Sequence, residues 1–134
     1  MYIKELSTAY FKSIGNDLET LKFGIPNGQS GSGLNILLGE NNTGKSTIFE
    51  AFDFLRNKTS KLKSSIVNKS FPDEDASVEI VFCGNIDLVI EQFTQDNKKA
   101  VFRDRVYNID GTNHLTVQRT TLDKNPIFIW NPET

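Results

Sequence analysis

Gly39-Glu40-Asn41-Asn42-Thr43-Gly44-Lys45-Ser46-Thr47 is the stretch on which the reading of this chain turns. It fits G-x-x-x-x-G-K-[ST], the phosphate-binding P-loop. Its glycines carry no Cβ, so the backbone can take φ > 0 and wrap closely round a phosphate. Successive N–H groups then point into one concavity and make an anion nest. The helix expected next aims its positive dipole end and its first unpaired N–H groups at the same point. In this motif Lys45 reaches the β- and γ-phosphates, and Ser46 sets its hydroxyl on Mg²⁺. The candidate nucleotide-binding residues are therefore Gly39, Asn41, Asn42, Thr43, Gly44, Lys45, Ser46 and Thr47, with Ser46 also the candidate metal ligand.

The motif counts only between a strand and a helix. Leu34-Asn35-Ile36-Leu37-Leu38 is an apolar run of strand length, entered from a Gly/Ser-rich connection at 24–33. After the loop, Ile48, Phe49, Phe52 and Leu55 recur at the spacing of one helix face. The order strand–loop–helix is present, and it predicts a bound nucleoside triphosphate.

The filling G-E-N-N-T-G-K-S-T resembles the P-loop of ABC-superfamily ATPases of the structural-maintenance-of-chromosomes (SMC), RecF and overcoming-lysogeny-defect (OLD) type. Those proteins open on a strand ending in a phrase like N-F-R-S-I/F, where Tyr10-Phe11-Lys12-Ser13-Ile14 stands here. They enter the P-loop through G-L-N-x-L-x, matched by Gly33-Leu34-Asn35-Ile36-Leu37-Leu38. The likeness covers about residues 2–56. It implies an α/β fold: a partial ABC-ATPase-like P-loop domain with N-terminal strands, the strand–loop–helix unit, and further strands with inserted helices. It implies ATP and Mg²⁺ as ligands and a homo- or heterodimer of ATPase heads closing on ATP. DNA is the implied partner, in repair, chromosome organisation or anti-phage defence. The basic residue of N-F-R-S lies near the phosphates in these families, which makes Lys12 a further candidate. By itself Lys12 reads as a solvated lysine on a strand edge.

The bounds of the chain agree with such a module. Its 134 residues suffice for one core, read as a single ATP-binding domain over 1–134 that forms the N-terminal part of a longer ATPase. A formal net charge of −2 gives no global pull toward nucleic acid or an anionic membrane, so any such contact must be local. Cys83 is the sole cysteine, which excludes an internal disulfide and suits a reducing compartment. No apolar run approaches the ~18 residues of a membrane span. A cytoplasmic protein with no membrane contact is the expectation.

Elsewhere, residues 2–11 and 18–23 read as paired strands, 77–83 and 114–121 as strands, and 127–130 as a last strand. Asn85 is placed to cap a helix over 86–93, with a strand as the alternative for 87–93, and 98–106 reads as a second helical piece. Residues 57–75 read as a flexible loop, basic through Lys58, Lys61, Lys63 and Lys69 and then acidic at Asp73-Glu74-Asp75. Its basic part, Arg56 to Lys69, suits a nucleic-acid backbone, or simply solvent, since it lacks aromatics for stacking bases. His114 reads as an exposed turn residue.

What is missing limits the chemistry. A P-loop ATPase also needs an acidic residue after a buried strand, to hold Mg²⁺ and orient water. Ile127-Phe128-Ile129-Trp130 is the one suitable apolar run, and Asn131-Pro132 follow it. A neutral amide cannot serve as a general base. No catalytic residue is assigned, and ATPase activity is expected only of the full-length protein, with motifs that come later. The alternatives are a small P-loop kinase or a non-hydrolysing nucleotide-gated scaffold.

Overall fold

A computed structural model of the chain describes residues 1–13, 19–38, 45–56, 63–122 and 127–129. Its frame is one six-stranded sheet in the order β2-β1-β3-β5-β4, where β1 is Tyr2–Ala9, β2 Glu19–Lys22, β3 Ser77–Cys83, β4 Tyr107–Ile109 and β5 Thr112–Thr120. The sixth strand, β6 (Ile127–Ile129), shares the outer edge of β5 with β4: β4 pairs with 112–114 and β6 with 116–118. All pairings are antiparallel. The two expected N-terminal strands do pair, with Leu6 opposite Leu21 and the Ser7 and Thr20 hydroxyls 3.0 Å apart.

The inward face of this sheet carries Leu6, Val78 and Ile80, and the helix α1 (Lys45–Arg56) packs on it. Thr47, Ala51, Phe54 and Leu55 are the buried residues of α1, at i, i+4, i+7 and i+8. The expected face is therefore rotated: Ile48 and Phe52 flank the core, while Phe49 is 65% exposed. Ala51, fully buried, explains the rotation, because the smallest side chain lets the helix axis approach the sheet most closely. Phe11, Ile66 and Val67 complete the cluster. Truncating a buried Phe such as Phe54 to Ala in a core like this costs about 3–5 kcal/mol.

Between β3 and β4 the chain makes two short helices, α3 (Ile86–Ile90) and α4 (Asp96–Arg105); α2 is the single turn Lys63–Ile66. The helical reading thus prevails over the strand alternative for 86–90, and the helix stops short of the expected Phe93. Ile86, Ile90 and Leu115 form a second small core, closed by the stacked rings of Phe93 and Phe102 at 4.7 Å. Asn85 does not cap α3 through its side chain. Its φ −77°, ψ 61° and the Ile86 N–H to Gly84 C=O bond of 2.8 Å define an inverse γ-turn, which turns the chain before α3 begins. At the β4–β5 turn, Asp110 (φ 50°) and Gly111 (φ 81°) both adopt the left-handed conformation of a two-residue type I′ hairpin.

One expected strand does not form. Leu34–Leu38 pairs with no strand among the described residues, and Leu34, Ile36 and Leu38 are 70, 71 and 88% exposed. A run apolar on both sides suits a strand buried on both faces. The described sheet carries its helices α1 and α3 on one face, and the run finds no second layer to enter. The connection before it is a surface loop knitted by its own side chains: Asn35 Oδ1 accepts from the Gly24 N–H at 2.7 Å, and Ser32 Oγ from the Asn27 N–H at 3.1 Å. Gly33 is required there, since a Cβ would sit 2.8 Å from Pro26.

Candidate functional site

The site is built on the first turn of α1. Lys45 opens the helix, Ser46 is exposed beside it, and Thr47 turns inward and is buried. No acidic residue occupies this turn, so no carboxylate of the turn itself competes with an anion for the unpaired N–H groups. The first carboxylate along the helix is Glu50, and its charge is held by an ion pair with Lys12. Gly39, Asn41, Asn42, Thr43 and Gly44 lie outside the described residues, as does Glu40.

The segment that follows β1 is brought against this turn. Tyr10 and Lys12 both adopt positive φ, 49° and 48°, on either side of Phe11. A left-handed conformation costs a non-glycine residue about 1–2 kcal/mol. Burial of Phe11 in the core and its bridge to Val67 offset that cost. Three hydrogen bonds fix the twist. The Lys12 N–H donates to Ile66 C=O at 2.7 Å, the Asn68 N–H to Tyr10 C=O at 2.8 Å, and Asn68 Nδ2 to Lys12 C=O at 2.6 Å. The result places Ser13 Oγ 2.6 Å from Thr47 Oγ1, and Lys12 beside Glu50 one turn further on.

A cleft of about 390 Å³ opens next to this junction, lined by Lys12, Ser13, Ser65, Val67, Asn68, Lys69 and Ser70. It lies at the lower end of the ~300–1,000 Å³ typical of small-molecule sites. Of the sequence-based candidates, Lys12, Lys45, Ser46 and Thr47 are thus brought to one end of one helix. Of the loop expected to be flexible, Lys63–Ile66 forms a helical turn and Val67 is anchored in the core, while 57–62 lie outside the described residues.

Three residues that hold this site or the far end of its helix carry no signal in the P-loop motif. Asn68 acts through geometry that no local pattern announces, and Ser13 stands in the N-F-R-S-like phrase, which does not announce its bond to Thr47. Arg119 is legible in principle: Leu115, Val117 and Arg119 alternate along β5, so a cation falls on the inward face. It is buried against the last turn of α1, where Arg119 Nη1 donates to Phe54 C=O at 2.6 Å. His114 differs from its expected place. Because β5 begins at Thr112, the ring is buried in the strand, stacked on Tyr107 at 5.4 Å and bonded through Nδ1 to Thr112 C=O at 2.8 Å. Its other ring nitrogen, Nε2, lies 3.5 Å from Lys4 Nζ. Among the described residues no group of His, Cys, Asp and Glu could hold a metal ion, and no helix is long and apolar enough to cross a membrane.

A P-loop helix start beneath a twisted strand end defines a nucleotide-binding α/β domain. Comparison with known proteins makes this specific. A family model for an AAA domain matches residues 5–129, and the chain belongs to that family. A structure solved in work on ATP-driven dimerization and DNA-stimulated activation of SMC ATPases is similar to it, with a TM-score of 0.52 and 19% identity, over 96% of this chain and 69% of that one. That likeness shows the fold: a mixed α/β ATPase-domain fold of the kind the P-loop filling implied. No curated protein matches. The chain is an ATP-binding ATPase module.

Proposed function

We propose that this module grips ATP–Mg²⁺ through residues 39–47 and acts in a DNA-handling ATPase of the SMC, RecF or OLD type. Lys45 holds the β- and γ-phosphates and Ser46 the metal. The fit to Mg²⁺ rests on the chemistry of the turn: an exposed hydroxyl at a helix start that carries no competing carboxylate. When bound, the metal supplies charge neutralisation between the phosphates. The observation that carries the reading is the junction of Ser13 with Thr47, which sets a polar, basic cleft against the phosphate end of α1. The nucleoside end of ATP occupies that cleft, with Lys12 turned to its phosphates or to Glu50. Two such heads close on ATP, and DNA stimulates the assembly; the structurally similar SMC ATPase, described for ATP-driven dimerization and DNA-stimulated activation, supports this part.

Calorimetry with ATP–Mg²⁺ tests the reading. Lys45→Ala should abolish binding and leave the circular dichroism spectrum unchanged, because Lys45 is a point charge placed for phosphate. Ser46→Ala should weaken binding in Mg²⁺ more than in EDTA. Unchanged affinity without the Lys45 amine would refute the P-loop assignment, and equal losses for Ser46→Ala in both buffers would remove its metal role.

A further inference from the structure

The helix that carries the site is held at its far end by a buried cation. Arg119 is 4% exposed, and its guanidinium donates to the Phe54 carbonyl at 2.6 Å while lying 4.4 Å from the centre of the Phe54 ring. Phe54 C=O is one of the last four carbonyls of α1, which no intrahelical N–H can reach. The helix end carries roughly half a negative charge. A buried cation is costly unless paired, so this contact leaves the helix little freedom to slide. The Phe54 ring also meets Phe11, at 5.6 Å, and the next two residues, Lys12 and Ser13, hold Glu50 and Thr47. One stack therefore joins Arg119 to both ends of α1.

We propose that Arg119 is a positioning residue for the nucleotide site, setting the axial place of α1 and through it the reach of Lys45 and Ser46. The inference rests on the P-loop reading above. A helix of 12 residues is about 18 Å long and moves as one body. A displacement at Phe54 is thus delivered to the first turn, and the Phe11 stack carries it also to Lys12 and Ser13. The coupling is reciprocal: nucleotide that fixes the first turn must also steady the last.

The test uses the full 134-residue chain, with ATP–Mg²⁺ affinity measured by calorimetry for wild type, Arg119→Met, Arg119→Lys and Lys45→Ala, at a temperature where each is folded. Methionine keeps volume and removes the cation, a change that buried charges often tolerate without loss of fold. Arg119→Met should bind roughly 5- to 150-fold more weakly, the usual range of coupling between sites. Arg119→Lys should recover part of that loss. A purely structural arginine would lower the melting temperature and leave the affinity of the folded protein unchanged, which would overturn the proposal while Lys45→Ala still abolished binding. Absent binding by wild type, or equal binding by Lys45→Ala, would instead overturn the P-loop reading. Should Arg119→Met not fold, hydrogen exchange on wild type decides. ATP–Mg²⁺ should slow exchange in Phe54-Leu55-Arg56 as well as in the first turn, and protection confined to the first turn would refute the positioning role.

Discussion

The hydroxyls of Ser13 and Thr47 stand 2.6 Å apart, joining residues 34 positions distant in sequence at the start of α1. Thr47 is buried, so removing Ser13 Oγ leaves its hydroxyl without this partner. A stranded buried hydroxyl costs about 1–3 kcal/mol, whereas loss of both partners can be nearly neutral. Ser13→Ala and Thr47→Val together should therefore destabilise less than the sum of the two single losses. Urea unfolding of the four proteins in a double-mutant cycle measures this, with an expected coupling of about 1 kcal/mol. Additive losses would show that the pairing contributes nothing.

Glu79 gives a pH-dependent test on the opposite face of the sheet. Partial burial on β3 raises its carboxyl above the ordinary glutamate value, and the nearby charge of Glu5 adds to the rise. The folded state thus disfavours the ionised form. Its contribution is most favourable at pH below the unfolded value and is lost as pH rises through the higher folded value. Glu79→Gln should raise the melting temperature at pH 7, and the gain should vanish on titrating to about pH 4. An advantage equally large at both pH values would show that charge is not its cause.

How much of the fold is legible in the sequence follows from where the physics is local. The helix after the P-loop, the β1–β2 pair and the strand β3 carry their own periodicity, and the structure has them. The rotation of α1 is not legible, because Phe49 and Phe54 are equally apolar and only the sheet, through Ala51, decides which is buried. The three-residue strand β4 hides at the end of a helical pattern; it exists because β5 offers an edge across the Asp110-Gly111 turn. Resemblance alone points to Lys12, and the structure brings it to α1 through Glu50. Arg119 escapes a strand pattern read for its apolar residues, because the cation shares their face.

The basic stretch before β3 offers a test of the DNA partner. Lys58 and Lys61 lie outside the described residues, and Lys63 opens the single turn α2 that leads into the cleft-lining Ser65 and Val67. If the stretch meets a nucleic-acid backbone, Lys58→Glu, Lys61→Glu and Lys63→Glu together should weaken duplex binding by the assembled protein. The slope of log affinity against log salt should flatten by up to about one unit for each phosphate no longer neutralised. Unchanged slope and affinity in fluorescence anisotropy would assign these lysines to solvent.

By itself the chain should bind ATP–Mg²⁺ and scarcely hydrolyse it. Gripping needs only the loop, Lys45 and Ser46. Hydrolysis also needs a carboxylate that positions water at the γ-phosphate, and the ABC pattern supplies it directly after a buried strand. The candidate strand here, β6, lies on the outer edge of β5, antiparallel to it, and the sequence continues Trp130-Asn131-Pro132. Glu50, the first carboxylate along α1, is held by Lys12. Phosphate release by the purified chain, with Lys45→Ala as blank, measures the point. The expected rate is far below the enzymatic range of ~1 s⁻¹ and above. Adding the later segments of an SMC-type head, in cis or in trans, should restore turnover. Turnover at ~1 s⁻¹ by the chain alone would mean that it carries its own base, and Glu133 would be the first residue to replace with glutamine.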